Sequence, residues 1–146
     1  MIAEISTHLK APTEKVWALL KKIDTFFFIT RGMMSFTGSK SWPQELTTGT
    51  TLRARLIFFH FIPAWHHELK IVHIDENKKE ILSNEKGGLI KKWNHFIQVQ
   101  AQSNDTCVYR DQIDIDAGRL TFFVWLFANV FYRYRQWRWQ LLLQKK

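Results

Sequence analysis

The sequence predicts an α+β domain: a curved antiparallel sheet wrapped around one long C-terminal helix, with two short helices after the first strand. Three observations predict it. Residues from about 35 to 116 form a succession of alternating apolar and polar runs, broken by Gly and polar turns, which is the pattern of half-buried strands. Residues 120 to 143 hold neither Gly nor Pro, which reads as a single helix of about 24 residues and ~36 Å. Between the first strand and the meander, apolar residues fall at helical spacing.

The elements follow in order. "IAEISTHLK", residues 2 to 10, alternates, and puts Ile5 and Leu9 on a buried side. In "APTEKVWALLKKI", Pro12 suits a first helical position, Glu14 a first turn, and Val16, Leu19, Leu20 and Ile23 one face. "DTFFFITRG" reads as a second short helix or turn, with Asp24 as N-cap and Gly32 as its stop. Then come a short strand at "SFTGSK" and "TTLRARLIFFHF", whose Leu52, Ala54, Leu56 and Phe58 face in. "AWHHELKIVHID" and "EILSNEK" follow, with a turn at Gly87-Gly88. The last two strands are "KKWNHFIQVQA" and "TCVYRDQIDID". Partners adjacent in sequence make an antiparallel sheet, and the long apolar helix must cover its concave face.

At 146 residues and 46% hydrophobic composition, the chain is expected to be one domain, residues 1–146, with a substantial core. The 21 Lys and Arg against 13 Asp and Glu give a net charge of +8, which favours anionic partners. Much of that charge crowds the C-terminus, at Arg133, Arg135, Arg138, Lys145 and Lys146. One cysteine, Cys107, permits no intrachain disulfide and fits a reducing compartment. No secretory signal is recognisable at the N-terminus, so a cytoplasmic location is expected. "LTFFVWLFANVFY" is shorter than the roughly 20 residues a membrane span needs.

These residues, in this order, resemble the START-like helix-grip superfamily, also called SRPBCC or polyketide cyclase/dehydrase-like. "ISTHLKAPTEKVWALL" is similar to its first strand, junction and first helix. "NEKGGLIKKWNHFIQV…TCVYRDQIDIDAG" looks like its strand pair with a Glu before a Gly turn, a Trp and a His, then an Asp-bearing strand. "FANVFYRYRQWRW" is similar to its terminal helix. The resemblance implies a sheet gripping the last helix around an apolar cavity. In that cavity a lipid-, sterol- or polyketide-like molecule would bind. Members include carriers and enzymes, so fold alone does not choose.

Two ionisable residues fall in step with the apolar face of the last hairpin: His95 with Trp93, Ile97 and Val99, and Asp111 with Tyr109 and Ile113. Faces must match across the hairpin, so odd positions pair with odd. One register sets His95 opposite Asp111, at ~4.5–5.5 Å between Cβ atoms; the next leaves them diagonal at ~7–8 Å. Either lets them satisfy each other on a cavity wall that includes Trp93, His95, Tyr109 and Asp111. The pair then serves as a structural tie, as an anchor for a ligand's polar end, or as an acid–base centre at His95 tuned by Asp111. Glu85 and His67 share inward phases and are further ligand-binding candidates. Phe123, Phe127 and Phe131 on the last helix would close the cavity.

No residue is assigned a catalytic role, and no cofactor or metal is expected. His66 and His67, being adjacent on a strand, face opposite ways and do not chelate one ion easily. No phosphate loop, nucleophile elbow or HExxH motif occurs. The aromatics lie in core phases rather than on an exposed stacking platform, which speaks against nucleic acid. The last helix is apolar almost all round, so its outer face, with Phe122, Trp125 and Val130, could meet a membrane or a second copy in a homodimer. The basic tail "RYRQWRW" suits an anionic interface. The expected function is hydrophobic ligand binding, with an aromatase/cyclase-type enzyme and an interaction or membrane-associated module as alternatives.

Overall fold

The computed structural model describes residues 1–145. Strand β1 (Ile2–Leu9) is followed by helices α1 (Thr13–Leu20) and α2 (Ile23–Thr30). Six further strands run as a meander: β2 (Met34–Thr37), β3 (Thr51–Phe58), β4 (Ile62–Asp75), β5 (Glu80–Gly87), β6 (Ile90–Ala101) and β7 (Cys107–Asp116). Helix α3 (Thr121–Gln144) closes the described chain. The strands form one antiparallel sheet in the order β1, β7, β6, β5, β4, β3, β2, so only the first strand pairs with a distant partner. Register shifts lie between Arg55 and Ile57, Ile71 and His73, and Glu85 and Gly87. Such bulges bend a sheet, and this one curls around α3.

Alternation does its expected work. Ala3, Ile5 and Leu9 are buried on β1, Leu52, Ala54 and Leu56 on β3, and Trp93, His95, Ile97 and Val99 on β6. Helix α3 buries a stripe of Ala128, Phe131, Tyr132, Arg135, Gln136, Trp139 and Leu143, the i, i+3/i+4 spacing of one helical face. Two apolar clusters result. One joins α1, the middle of the sheet and the end of α3 through Leu9, Val16, Trp17, Val99, Tyr109 and Trp139. The other joins β1, β6 and β7 to the first half of α3 through Ile5, Trp93, Ile113, Phe131 and Tyr132. Cys107 is buried, and burial pushes its thiol pKa up.

Several local expectations change. Pro12 precedes α1 in extended conformation rather than starting it, and its carbonyl accepts from Lys15 and Val16. Asp24 lies inside the first turn of α2, and Lys22 holds the cap position, so the carboxylate acts on the helix dipole rather than as a cap. Ala101 is exposed although it shares a phase with Val99; it stands at the hairpin end, beyond the reach of α3. The basic tail is divided: Arg133 and Lys145 are exposed, whereas two arginines between them turn inward. Arg135 is buried, and Arg138 donates from Nε to the Phe28 carbonyl at 3.0 Å with its guanidinium 4.1 Å from the Phe28 ring. Among the described residues no helix is long and apolar enough to cross a membrane.

Candidate functional site

Between the curled sheet, α2 and α3 lies a cavity of about 450 Å³, within the size range of small-molecule pockets. Strands β3 to β6 supply most of its wall, because their bulges carry them away from the helix. The wall is apolar almost throughout, with Leu52, Leu56, Leu69, Ile71, Ile81 and Ile97 on the sheet side. It opens where its lining residues are exposed: Phe59 and Ile62 at the β3–β4 hairpin, Leu89 in the β5–β6 turn, and Leu120 and Phe123 at the start of α3.

Few polar side chains reach this wall, and its ionisable ones are His67, Glu85, His95 and Arg135. His95 is 3% exposed and Asp111 is fully buried. The register pairs His95 with Ile113 and Ile97 with Asp111, so the two are diagonal, yet His95 Nε2 lies 2.6 Å from Asp111 Oδ1. Gln136 Nε2 donates to the other carboxylate oxygen, Oδ2, at 3.0 Å and to the Ile5 carbonyl at 2.7 Å. An ionised carboxylate only accepts, so Asp111 holds His95 with Nε2 protonated. Opposite, His67 Nε2 lies 2.8 Å from Glu85 Oε1, both side chains mostly buried.

From α3, Tyr132 places its ring against His95, centroids 4.8 Å apart, and its hydroxyl accepts from Trp93 Nε1 at 3.2 Å. Burial first, and then the Glu85 carboxylate, push the Tyr132 hydroxyl well above the usual phenolic pKa. Arg135 lines the same region at 6% exposure. Burial acts against its charge, but the Tyr132 and Tyr109 hydroxyls and the Asp111 and Glu85 carboxylates outweigh it, and its pKa is raised.

No protein-family model matches this chain, and no curated protein matches it in sequence. Solved structures do match it in fold. A START superfamily protein from Mycobacterium smegmatis superposes with a TM-score of 0.75 at 8% identity, over 99% of this chain and 97% of that one. Truncated norcoclaurine synthase from Thalictrum flavum gives 0.74 at 12%, over 100% and 94%. A protein from the dynemicin biosynthetic locus gives 0.65 at 12%, over 99% of this chain and 47% of that one. The chain has the START-like helix-grip fold. At these identities the likeness is one of fold, and it carries no residue roles across.

Within this helix-grip frame the expected site residues separate. Trp93, His95, Glu85 and His67 line the cavity. Phe131 is buried on the wall, Phe127 is half-buried and stacked on it at 5.6 Å, and Phe123 stands 66% exposed at the opening. Tyr109 and Asp111 do not reach the cavity. Trp139 covers Tyr109 at 5.3 Å between rings, and Gln136 covers Asp111. The expectation that both stand on the cavity wall is thereby corrected: strand phase aims a side chain at α3, and here α3 fills the space. Asp111 meets the cavity wall only by way of its hydrogen bond to His95. The reading missed Arg135, Gln136 and Tyr132, although their spacing from Ala128 and Trp139 marks the buried stripe. Among the described residues no group of three or more His, Cys, Asp or Glu stands close enough to hold a metal.

Proposed function

We propose that the protein binds a bulky hydrophobic small molecule, lipid-, sterol- or polyketide-like, inside this cavity, as a carrier or sensor. One observation carries the reading: an opening ringed by exposed apolar side chains leads into about 450 Å³ of apolar space whose few ionisable groups converge around Tyr132. Such a site recognises an elongated apolar body with one polar end. The test is binding of an apolar fluorescent probe to the native protein and to Ala54→Trp. Ala54 lies on the cavity wall at 8% exposure, so an indole there occupies the space. Affinity should fall at least 10-fold while the circular dichroism spectrum is kept. Unchanged affinity in a folded variant sinks the proposal.

A second reading, loading at an anionic membrane surface, draws support from the rim. Phe61 is 75% exposed at the hairpin tip, beside Phe59 and His60, whose φ angles are +54° and +69°. Non-glycine residues at positive φ are strained, and strain concentrates at functional sites. Lys91 and Arg119, both exposed, flank Leu89 and Leu120. Phe61→Ser with Phe123→Ser should abolish co-sedimentation with anionic vesicles; sedimentation equal to native removes this reading. A cyclase-type use of His95 rests on its oriented ring at the cavity wall. It requires that His95→Ala keep its affinity for a ligand that the native protein converts.

A further inference from the structure

Resting on the binding reading above, we infer that the cavity ligand is an amphipathic anion, a carboxylate or phosphate monoester on an apolar tail, whose head is held by Arg135. The guanidinium carries a permanent charge, and burying a charge is tolerated when it is paired. Arg135 has no such pairing. Its Nε is enclosed and without a hydrogen-bond partner. Among the described residues no carboxylate lies within ion-pair distance of it.

The two carboxylates that favour its charge already have partners. Asp111 accepts from His95 and Gln136, and Glu85 is engaged by His67. The rings of Tyr132 and Phe131 flank the guanidinium at 4.9 and 5.8 Å. They desolvate it and supply cation–π contact, but they accept no charge from it. A cation in this setting lacks a bidentate acceptor, which is what a carboxylate or phosphate offers. Tyr132 adds a donor beside it: its hydroxyl oxygen accepts from Trp93 Nε1, which leaves the O–H proton free to bond a head group.

Position orients the ligand. Phe123 at the opening and Arg135 lie twelve residues apart on α3, about 18 Å of helix rise. Phe127 and Phe131 fill the interval on the same face. A head at Arg135 therefore leaves its tail along the phenylalanines toward the opening.

Isothermal titration of the native protein with dodecanoate, dodecyl phosphate and dodecan-1-ol, each below its aggregation threshold, tests the inference. At least one anion should bind about 10- to 100-fold tighter than the alcohol, the value of a hydrogen bond to a charged group. The tighter of the two anions names the head. In Arg135→Met that preference should collapse while dodecan-1-ol still binds; Arg135→Lys should recover part of it. Alcohol and anions binding equally to the native protein, or a preference that survives in Arg135→Met, overturns the inference and leaves the cavity reading standing. Binding of none of the three overturns the inference as well, and the apolar-probe titration with Ala54→Trp then decides the cavity reading separately. The native comparison decides even where Arg135→Met does not fold.

Discussion

Asp111→Asn and Asp111→Ala should part company, and the reason is proton bookkeeping in a closed network. Asp111 takes one proton donor from His95 and another from Gln136, and Gln136 is also fixed on the Ile5 carbonyl. An asparagine presents one acceptor and one donor. Gln136 cannot turn its amide without setting its oxygen against the Ile5 carbonyl. The asparagine oxygen must therefore face Gln136 and its NH₂ must face His95. His95 can accept that hydrogen bond by moving its own proton from Nε2 to Nδ1. The asparagine, Gln136 and His95 Nε2 all stay partnered, and the loss is the charge assistance of two hydrogen bonds, offset by no longer burying a carboxylate, a net of about 1 kcal/mol. Alanine permits no such exchange. Removing one partner of a buried pair costs about 3–5 kcal/mol. For a chain near this size each kcal/mol moves Tm by about 2–4 °C, so Asn should lower Tm by roughly 2–4 °C and Ala by roughly 6–20 °C. Thermal unfolding followed by circular dichroism reads the first quantity. Two-dimensional ¹⁵N spectra of the histidine rings read the tautomer, which should switch in Asp111→Asn. An unchanged tautomer, or an alanine variant no less stable than the asparagine one, would refute the network as drawn.

Burial, foremost, raises the phenolic pKa values of Tyr109 and Tyr132 far above the usual value. Above pH ~10 the unfolded chain loses both protons while the native chain keeps them, so stability falls by ~2.7 kcal/mol per pH unit; equal urea midpoints at pH 9 and 11 would contradict this. Gly87 sits at φ +152° and a Cβ there would lie 2.4 Å from the His66 carbonyl oxygen, a backbone atom that cannot step aside. Gly87→Ala should therefore cost upward of about 2 kcal/mol. Gly118→Ala, at φ +61° and facing only the end of Lys91, should cost about 1–2 kcal/mol; equal losses in chemical denaturation would show that the close approach is not limiting. In hydrogen exchange, amides of Thr121–Val130 should exchange faster than those of Phe131–Leu143, since most polar ties from α3 to the rest of the chain leave its second half. Uniform protection along the helix contradicts that.

Period-two patterning made the faces of β6 and β7 legible, and with them the inward aim of His95, Glu85 and His67. It could not choose between two registers of equal phase. The chosen one pairs Ala101 with Cys107 and leaves a loop in which Gln102 and Ser103 both donate to the Thr106 carbonyl, and the Ser103 and Thr106 hydroxyls bond at 2.7 Å. The polar loop residues satisfy one another only with that much chain. Arg135 was hidden for another reason. Counted as charge it belongs to a basic tail; counted by angle around the helix it shares a face with Ala128, Phe131 and Trp139. The apolar neighbours fix its angle, and its charge does not overrule them. Tyr109 and Asp111 mark the limit of strand phase, which says which way a side chain points and not what stands in front of it.

The two halves of α3 are held by different physics, and the difference bears on where a ligand can be accommodated. In the second half, Gln136 donates to the Ile5 carbonyl, Gln140 to the His8 carbonyl and Arg138 to the Phe28 carbonyl. The Tyr134 hydroxyl donates to the Arg31 carbonyl. These bonds tie the helix to edge strand β1 and to the chain around the end of α2, and displacing that half would leave backbone carbonyls without donors. In the first half, Trp125 Nε1 donating to the Ile2 carbonyl is the corresponding long-range tie, and beyond the local bonds of Thr121 to Ala117 and Gly118 the remaining contacts are mainly apolar. Apolar contact has no direction to satisfy. Phe123 and Phe127 can therefore re-pack around tails of different length without orphaning a polar group. The rigid half of α3 carries Arg135 and Gln136, and the adaptable half lines the way in. On the proposed reading, selectivity for a head group and tolerance for a tail would both come from one helix, because most of its hydrogen bonds to the rest of the chain leave from one end.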